Sequence, residues 1–233
     1  MNPLSHSNTG AIDSKIDVLV HKDPLVEKAV QQYAQTLPAL PPFNYSAVRN
    51  YYVLLGVPIL DPQQIDIALQ GMLGINYESS RDPGLYVSRL IQVSHDAGHN
   101  DFMLHTRDVP LDFLCDSVKG DKDLYVNITI RGDTGKYTGN GSRWCSVRHE
   151  GSARENYFNV AKNAEIFIRG TLWEYPLSNA EDITLRTTNQ DTFEYVREES
   201  LEYDNVTRSR LALVSPAGKV IRMCEIGFKE SGD

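Results

Sequence analysis

Three histidines, His95, His99 and His105, lie close together in the chain among Asp96, Asp101 and Asp108. Imidazole nitrogens and carboxylates are the usual ligands of zinc and related metals, and His95 and His99 have the i, i+4 spacing that places two ligands on one helical face. A hydrolytic metal centre built on His95, His99 and His105 is therefore one reading. The run His95-Asp96-Ala97-Gly98-His99 lacks the general-base glutamate of an HExxH motif, and Gly98 marks a helix about to end. The competing reading is a helix C-terminus, where histidine interacts well with the helix dipole.

A second pair, Cys145 and His149, stands four apart beside Trp144 and Arg148. Such a pair could be a thiolate and its base. A small buried thiol and a stacked ring are the alternative. The loop GDTGKYTGNG (Gly132–Gly141) has the glycines of a phosphate cradle but fails the P-loop spacing, and no helix pattern follows to supply a dipole. The stretch Asp191–Asp204 carries Asp191, Glu194, Glu198, Glu199, Glu202 and Asp204 against Arg197. It lacks the spaced Asp/Asn–Gly pattern of a calcium loop and reads as a solvated face. No catalytic or cofactor-binding residue is expected, and no cofactor.

The elements that must position these residues differ between the two halves. Residues 1–15 are rich in Ser, Asn and Gly, and Ile16–Val20 is a short strand or docking segment. Asp23-Pro24, Asp61-Pro62 and Asp82-Pro83 each open a helix, with aspartate at the cap and proline in the first turn. A further helix is expected from about Ser46 to Leu55, stopped by Gly56-Val57-Pro58. After Gly98 the apolar period changes from helical to alternating: Phe102 and Leu104, then Val109 and Leu111, then Leu124, Val126, Ile128 and Ile130. Ile183–Arg186 adds one more strand. Leu211–Val214 and Val220–Met223, joined by Ser215-Pro216-Ala217-Gly218, read as a β-hairpin.

The chain has 233 residues, 41% of them hydrophobic, enough for one large or two small domains. Its 23 basic and 31 acidic residues give a net charge of −8. That balance disfavours nucleic-acid backbones and anionic membranes as partners, as does the scatter of its 12 tyrosines without interleaved Lys or Arg. The three cysteines, Cys115, Cys145 and Cys224, are few and widely spaced, without a CxxC. Neither a disulfide framework nor a zinc ribbon is suggested. The polar N-terminal stretch, with Asp13 and Asp17, is no secretory leader, and no stretch approaches the roughly 20 apolar residues of a membrane span. A cytoplasmic location is expected. On that footing the sequons at Asn44, Asn127, Asn140 and Asn205 are read as chance or turn chemistry.

Gly132, Gly151 and Gly170 recur at a fixed period, and Ile128, Val147 and Ile166 fall in register with them. So do Asn140 with Asn159, Ser142 with Ala161, and Arg143 with Lys162. A period near 20 is the mark of stacked repeats. The segment from about Asn127 to Trp173 resembles the GXGXG repeats found in the C-terminal domain of the glutamate synthase large subunit and in one of the subunits of formylmethanofuran dehydrogenase. The resemblance rests on Gly132-Asp133-Thr134-Gly135, Gly139-Asn140-Gly141, Gly151-Ser152-Ala153 and the run Ala161–Gly170. Only the first repeat keeps all its glycines; the second has Arg154, Phe158 and Val160 at the later positions. The resemblance implies a right-handed β-solenoid and a structural domain within a larger enzyme. The catalytic parts of those families have no counterpart here.

The expected architecture is α+β, an N-terminal helical region packed on a short right-handed β-solenoid of GXGXG-type repeats. The helical region spans 1–100 and caps the solenoid, the solenoid spans 101–190, and an acidic segment with a C-terminal hairpin fills 191–233. The expected function is a non-catalytic scaffold or assembly subunit, working with a protein partner or as a homo-oligomer, within a glutamate-synthase-like or related oxidoreductase complex. The alternative is a metal-dependent hydrolase using His95, His99 and His105.

Overall fold

In a computed structural model, the described residues are 18–40, 44–75, 83–203 and 206–227. The helices begin where capping chemistry places them. In α1 (Pro24–Thr36) the Asp23 carboxylate accepts from the backbone N–H of Leu25 and Val26, and Pro24 occupies the first turn. Asn44 caps α2 (Tyr45–Leu54) through the N–H of Ala47. Asp61 and Gln64 form a reciprocal capping box on α3 (Pro62–Leu73). Gln64 also donates to Asp23, which ties the starts of α1 and α3 together. Helix α4 (Gly84–Asp96) follows Pro83; its expected cap, Asp82, lies outside the described residues. Val18–Val20 are helical rather than extended, while Ile16 and Asp17 fall outside the described range.

Seven strands form one sheet in chain order: β1 (Asp101–Leu111), β2 (Val126–Thr134), β3 (Cys145–His149), β4 (Lys162–Ile168), β5 (Glu181–Thr187), β6 (Ser209–Val214) and β7 (Val220–Ile226). β1 to β6 are parallel, and β7 returns antiparallel on β6. Helix α5 (Gln190–Tyr203) lies between β5 and β6 in the chain and buries Phe193 and Val196. The acidic stretch from Asp191 to Tyr203 is thus helix; Asp204 lies outside the described residues.

The repeat sets the register. Ile128 pairs with Val147, Val147 with Ile166, Ile166 with Leu185 and Leu185 with Leu211, one apolar column down the inner face. A second column is backbone against backbone. A Cβ on Gly151 would fall on the carbonyl of Gly132, and one on Gly170 would fall on the carbonyl of Gly151. The recurring glycine therefore excludes a side chain where successive repeats touch.

The expected closed solenoid is corrected. The strands make a single, mostly parallel sheet with a first and a last member, and the sheet is not closed into a solenoid. The returns between successive strands from β1 to β5 are turns, linked to their neighbours only by isolated bridges and hydrogen bonds such as Phe158 N–H to Thr138 O. Their backbone explains why no further strands form. Left-handed residues alternate at Phe113, Cys115 and Ser117, at Tyr137, Gly139 and Gly141, at Asn156, Phe158 and Val160, and at Tyr175, Leu177 and Asn179. A chain that enters the left-handed region at every second residue cannot extend a ladder.

Helices and sheet share one apolar core, running from Tyr33, Ile65 and Leu90 through Ile128 and Phe158 to Phe193 and Leu211. The two edges of the sheet are finished differently. On β1, the His105 backbone N–H donates to Asp66, its carbonyl accepts from Gln70, and Arg107 donates to Gln70. Asp66 and Gln70 stand one turn apart on α3, so this helix covers the edge with side chains that mimic a neighbouring strand. Among the described residues, no element lies beyond β7.

Candidate interaction surface

The histidines do not converge. Helix α4 ends at Asp96, and Gly98 turns the chain at φ +102°, so His99 leaves the helical face that carries His95. His95 Nδ1 lies 2.8 Å from Asn100 Oδ1. His105 Nδ1 lies 2.8 Å from Asp66 Oδ2, so its ring and its backbone both belong to the covered β1 edge. Asp96 accepts from Gln92, and Asp101 from Asn127. No three His, Cys, Asp or Glu side chains among the described residues form a group that could hold a metal ion.

Cys145 and His149 occupy the two ends of β3, both facing inward, and about 13 Å of strand separates them. Burial pushes the Cys145 thiol up to about 12, so it is no thiolate at neutral pH. His149 is fully buried, and its Nε2–H donates to the Gly132 carbonyl at 2.9 Å while the ring stacks near Tyr157. Burial lowers its pKa to about 4. The folded ring thus resists a proton that the unfolded ring accepts near 6.5, so stability is complete above pH 6.5 and lost as pH falls towards 4. The expected loss is up to about 3 kcal/mol across that window. Denaturant melts at pH 7 and pH 4.5 should show it in the wild type and a smaller loss in His149→Leu. Equal losses in both would refute this assignment.

The Gly132–Gly141 loop is part of the repeat stack. Asp133 accepts from the Ser152 N–H and Asp112 from the Lys136 N–H, and the loop leads into a strand, not a helix. On α5, Glu194 is held by Arg197 and Arg222, and the Arg222 guanidinium lies over the Phe193 ring. The acidic segment is thereby fastened to β7.

The surface that stands out lies at the open end of the sheet. On β7, Val220, Ile221 and Met223 are 51%, 64% and 58% exposed. Met223 pairs with Ala212 and Glu225 with Arg210, so both lie on the outer face of the sheet, while exposed Ile221 sits at a bulge between the Leu213–Arg222 and Val214–Val220 pairs. The same face carries Thr129, Arg148, Phe167 and Arg186 in one cross-strand row, with Arg148 over the Phe167 ring at 5.0 Å. A shallow groove of about 310 Å³ runs along it. Periodicity located these strands, but it could not show which edge would be left bare. Comparison with models of known protein families, with curated proteins and with solved structures finds no match.

Proposed function

We propose that the chain is a non-catalytic assembly subunit that pairs with a second copy of itself along β7. The observation that carries this reading is the contrast between the two edges. α3 satisfies the polar groups of β1, whereas β7 offers its outward N–H and C=O groups together with exposed Val220, Ile221 and Met223. β7 is also self-complementary. Antiparallel pairing about a two-fold axis at Arg222 brings the bulged Ile221 of each copy to the partner copy's Met223, twice over. Arg222 on the axis is already neutralised by Glu194. The resemblance to GXGXG-repeat domains, which supply shape and contacts to larger enzymes, supports the same class of role.

Amide hydrogen exchange tests the reading. The amides of β7 that face away from β6 should exchange slowly at high protein concentration and quickly on dilution. The His105 amide, bonded to Asp66 within the chain, should stay protected throughout. Exchange at β7 that does not depend on concentration would defeat the proposal.

A further inference from the structure

The turn segment that joins β1 to β2 meets α2 and α4 at a cleft of about 250 Å³. Its walls bring together Arg49 from α2, Arg89 from α4 and Lys119 from the turn, with the Asp116 carboxylate beside Arg49. A chain of net charge −8 thus gathers three cations against one carboxylate in a small concave space. The arrangement is held in place. Gln92 accepts from the Lys119 N–H at 2.7 Å and donates to its carbonyl, and Ser88 accepts from the Asp116 N–H at 3.0 Å. Both clamps come from α4, one turn apart, and fix the turn on the helix that carries Arg89. The backbone there is left-handed at Phe113, Cys115 and Ser117, a conformation that persists only where its surroundings enforce it.

Asp116 is spent on positioning. One carboxylate oxygen accepts from Tyr45 at 2.7 Å and Asn140 at 2.8 Å, and the other faces the Arg49 Nε at 3.3 Å. Its side chain is 1% exposed, and burial raises its pKa despite those bonds. The carboxylate engages Arg49 through Nε, which leaves the terminal amino groups of that guanidinium for a ligand. Arg89 supplies the second indication. Its Nε is buried and has no hydrogen-bond partner among the described residues. A buried charged N–H without an acceptor is costly, and that cost favours a turn of the Arg89 side chain that would bring its guanidinium onto an anion in the cleft.

We propose that this cleft binds a small phosphate-bearing anion, a phosphomonoester or inorganic phosphate, through Arg49, Arg89 and Lys119. Two guanidinium groups and an ammonium around a net charge of +2 fit a dianionic head with several acceptor oxygens. The cleft volume limits the occupant to a small molecule. This site is separate from β7 and stands whether or not the chain pairs.

Calorimetric titration of the full chain tests it, with inorganic phosphate and with glycerol phosphate at ionic strength matched by sodium chloride. Saturable binding of one or both is expected, weakened at least tenfold in Arg89→Gln and in Lys119→Gln. Tighter binding of glycerol phosphate would mark the phosphomonoester as the ligand class; tighter binding of phosphate would mark the free ion. Lys119 is exposed, so its substitution leaves folding intact, and unchanged melting temperature in Lys119→Gln serves as the control. Absence of saturable binding to the wild type, or equal affinity in wild type and Lys119→Gln, would overturn the proposal.

Discussion

Gly132→Val should lower the melting temperature by about 10 °C or more, whereas Gly98→Ala should lower it by only a few degrees. Both glycines have positive φ, +106° and +102°, so any side chain at either position is strained by about 1–3 kcal/mol. They differ in surroundings. A Cβ at Gly132 would collide with the Arg107 carbonyl and the Thr106 hydroxyl, both on β1, while nothing lies within 4 Å of a Cβ at Gly98. The Thr106 hydroxyl cannot easily yield, because it is bonded to the Asp133 carbonyl at 2.7 Å. Valine at 132 therefore adds a backbone displacement at the β1–β2 junction to its own strain, for a total of about 4 kcal/mol or more. In a chain of this size each kcal/mol moves the midpoint by about 2–4 °C. Thermal melts of the two variants under one set of conditions check this. Equal midpoints would show that the glycine column does not carry the stacking.

Replacing Ile221 and Met223 together by lysine should abolish self-association without unfolding the chain. Both side chains are more than half exposed in the single chain, so their loss removes little intrachain burial. Across the proposed two-fold they face each other, and the double variant would set lysine against lysine twice and remove the apolar contact. The expected weakening is at least about 100-fold, from lost burial and like-charge repulsion together.

The period of Gly132, Gly151 and Gly170 made the register legible in advance, down to the column of Ile128, Val147 and Ile166. Parallel in-register stacking preserves sequence spacing as spatial contact. The starts of α1 and α3 were legible for a local reason, since Asp23 and Asp61 cap residues within one turn of themselves. Closure into a solenoid was over-read from the same period. A period reports what stacks, and says nothing of whether the returns are strands or turns. Here the returns depend on left-handed Phe158, Val160 and Leu177, residue types that rarely enter the left-handed region and so carry no turn signal. Hydrogen bonds between successive turns, such as Val160 N–H to Ser178 O at 2.8 Å, hold them in that conformation.

The histidine spacing was legible on both sides: i, i+4 has meaning only within one helix, and Gly98 already signalled the end of α4 between His95 and His99. The role of Asp66 and Gln70 depends on β1 lying beside α3, which local pattern does not encode. The cationic cleft was hidden for the same reason, since Arg49, Arg89 and Lys119 come from three elements and no motif joins them. For the β1 edge and the cleft the missing information was tertiary: which polar faces meet.

Sedimentation velocity of the wild-type chain over a dilution series tests the central claim, that the bare β7 edge is an assembly surface, most directly. The account predicts the mass of two chains at high concentration, falling to that of one on dilution, with the Ile221→Lys, Met223→Lys variant at one chain throughout. A wild-type mass of one chain at every concentration, or a dimer that persists unchanged in the double variant, would contradict it.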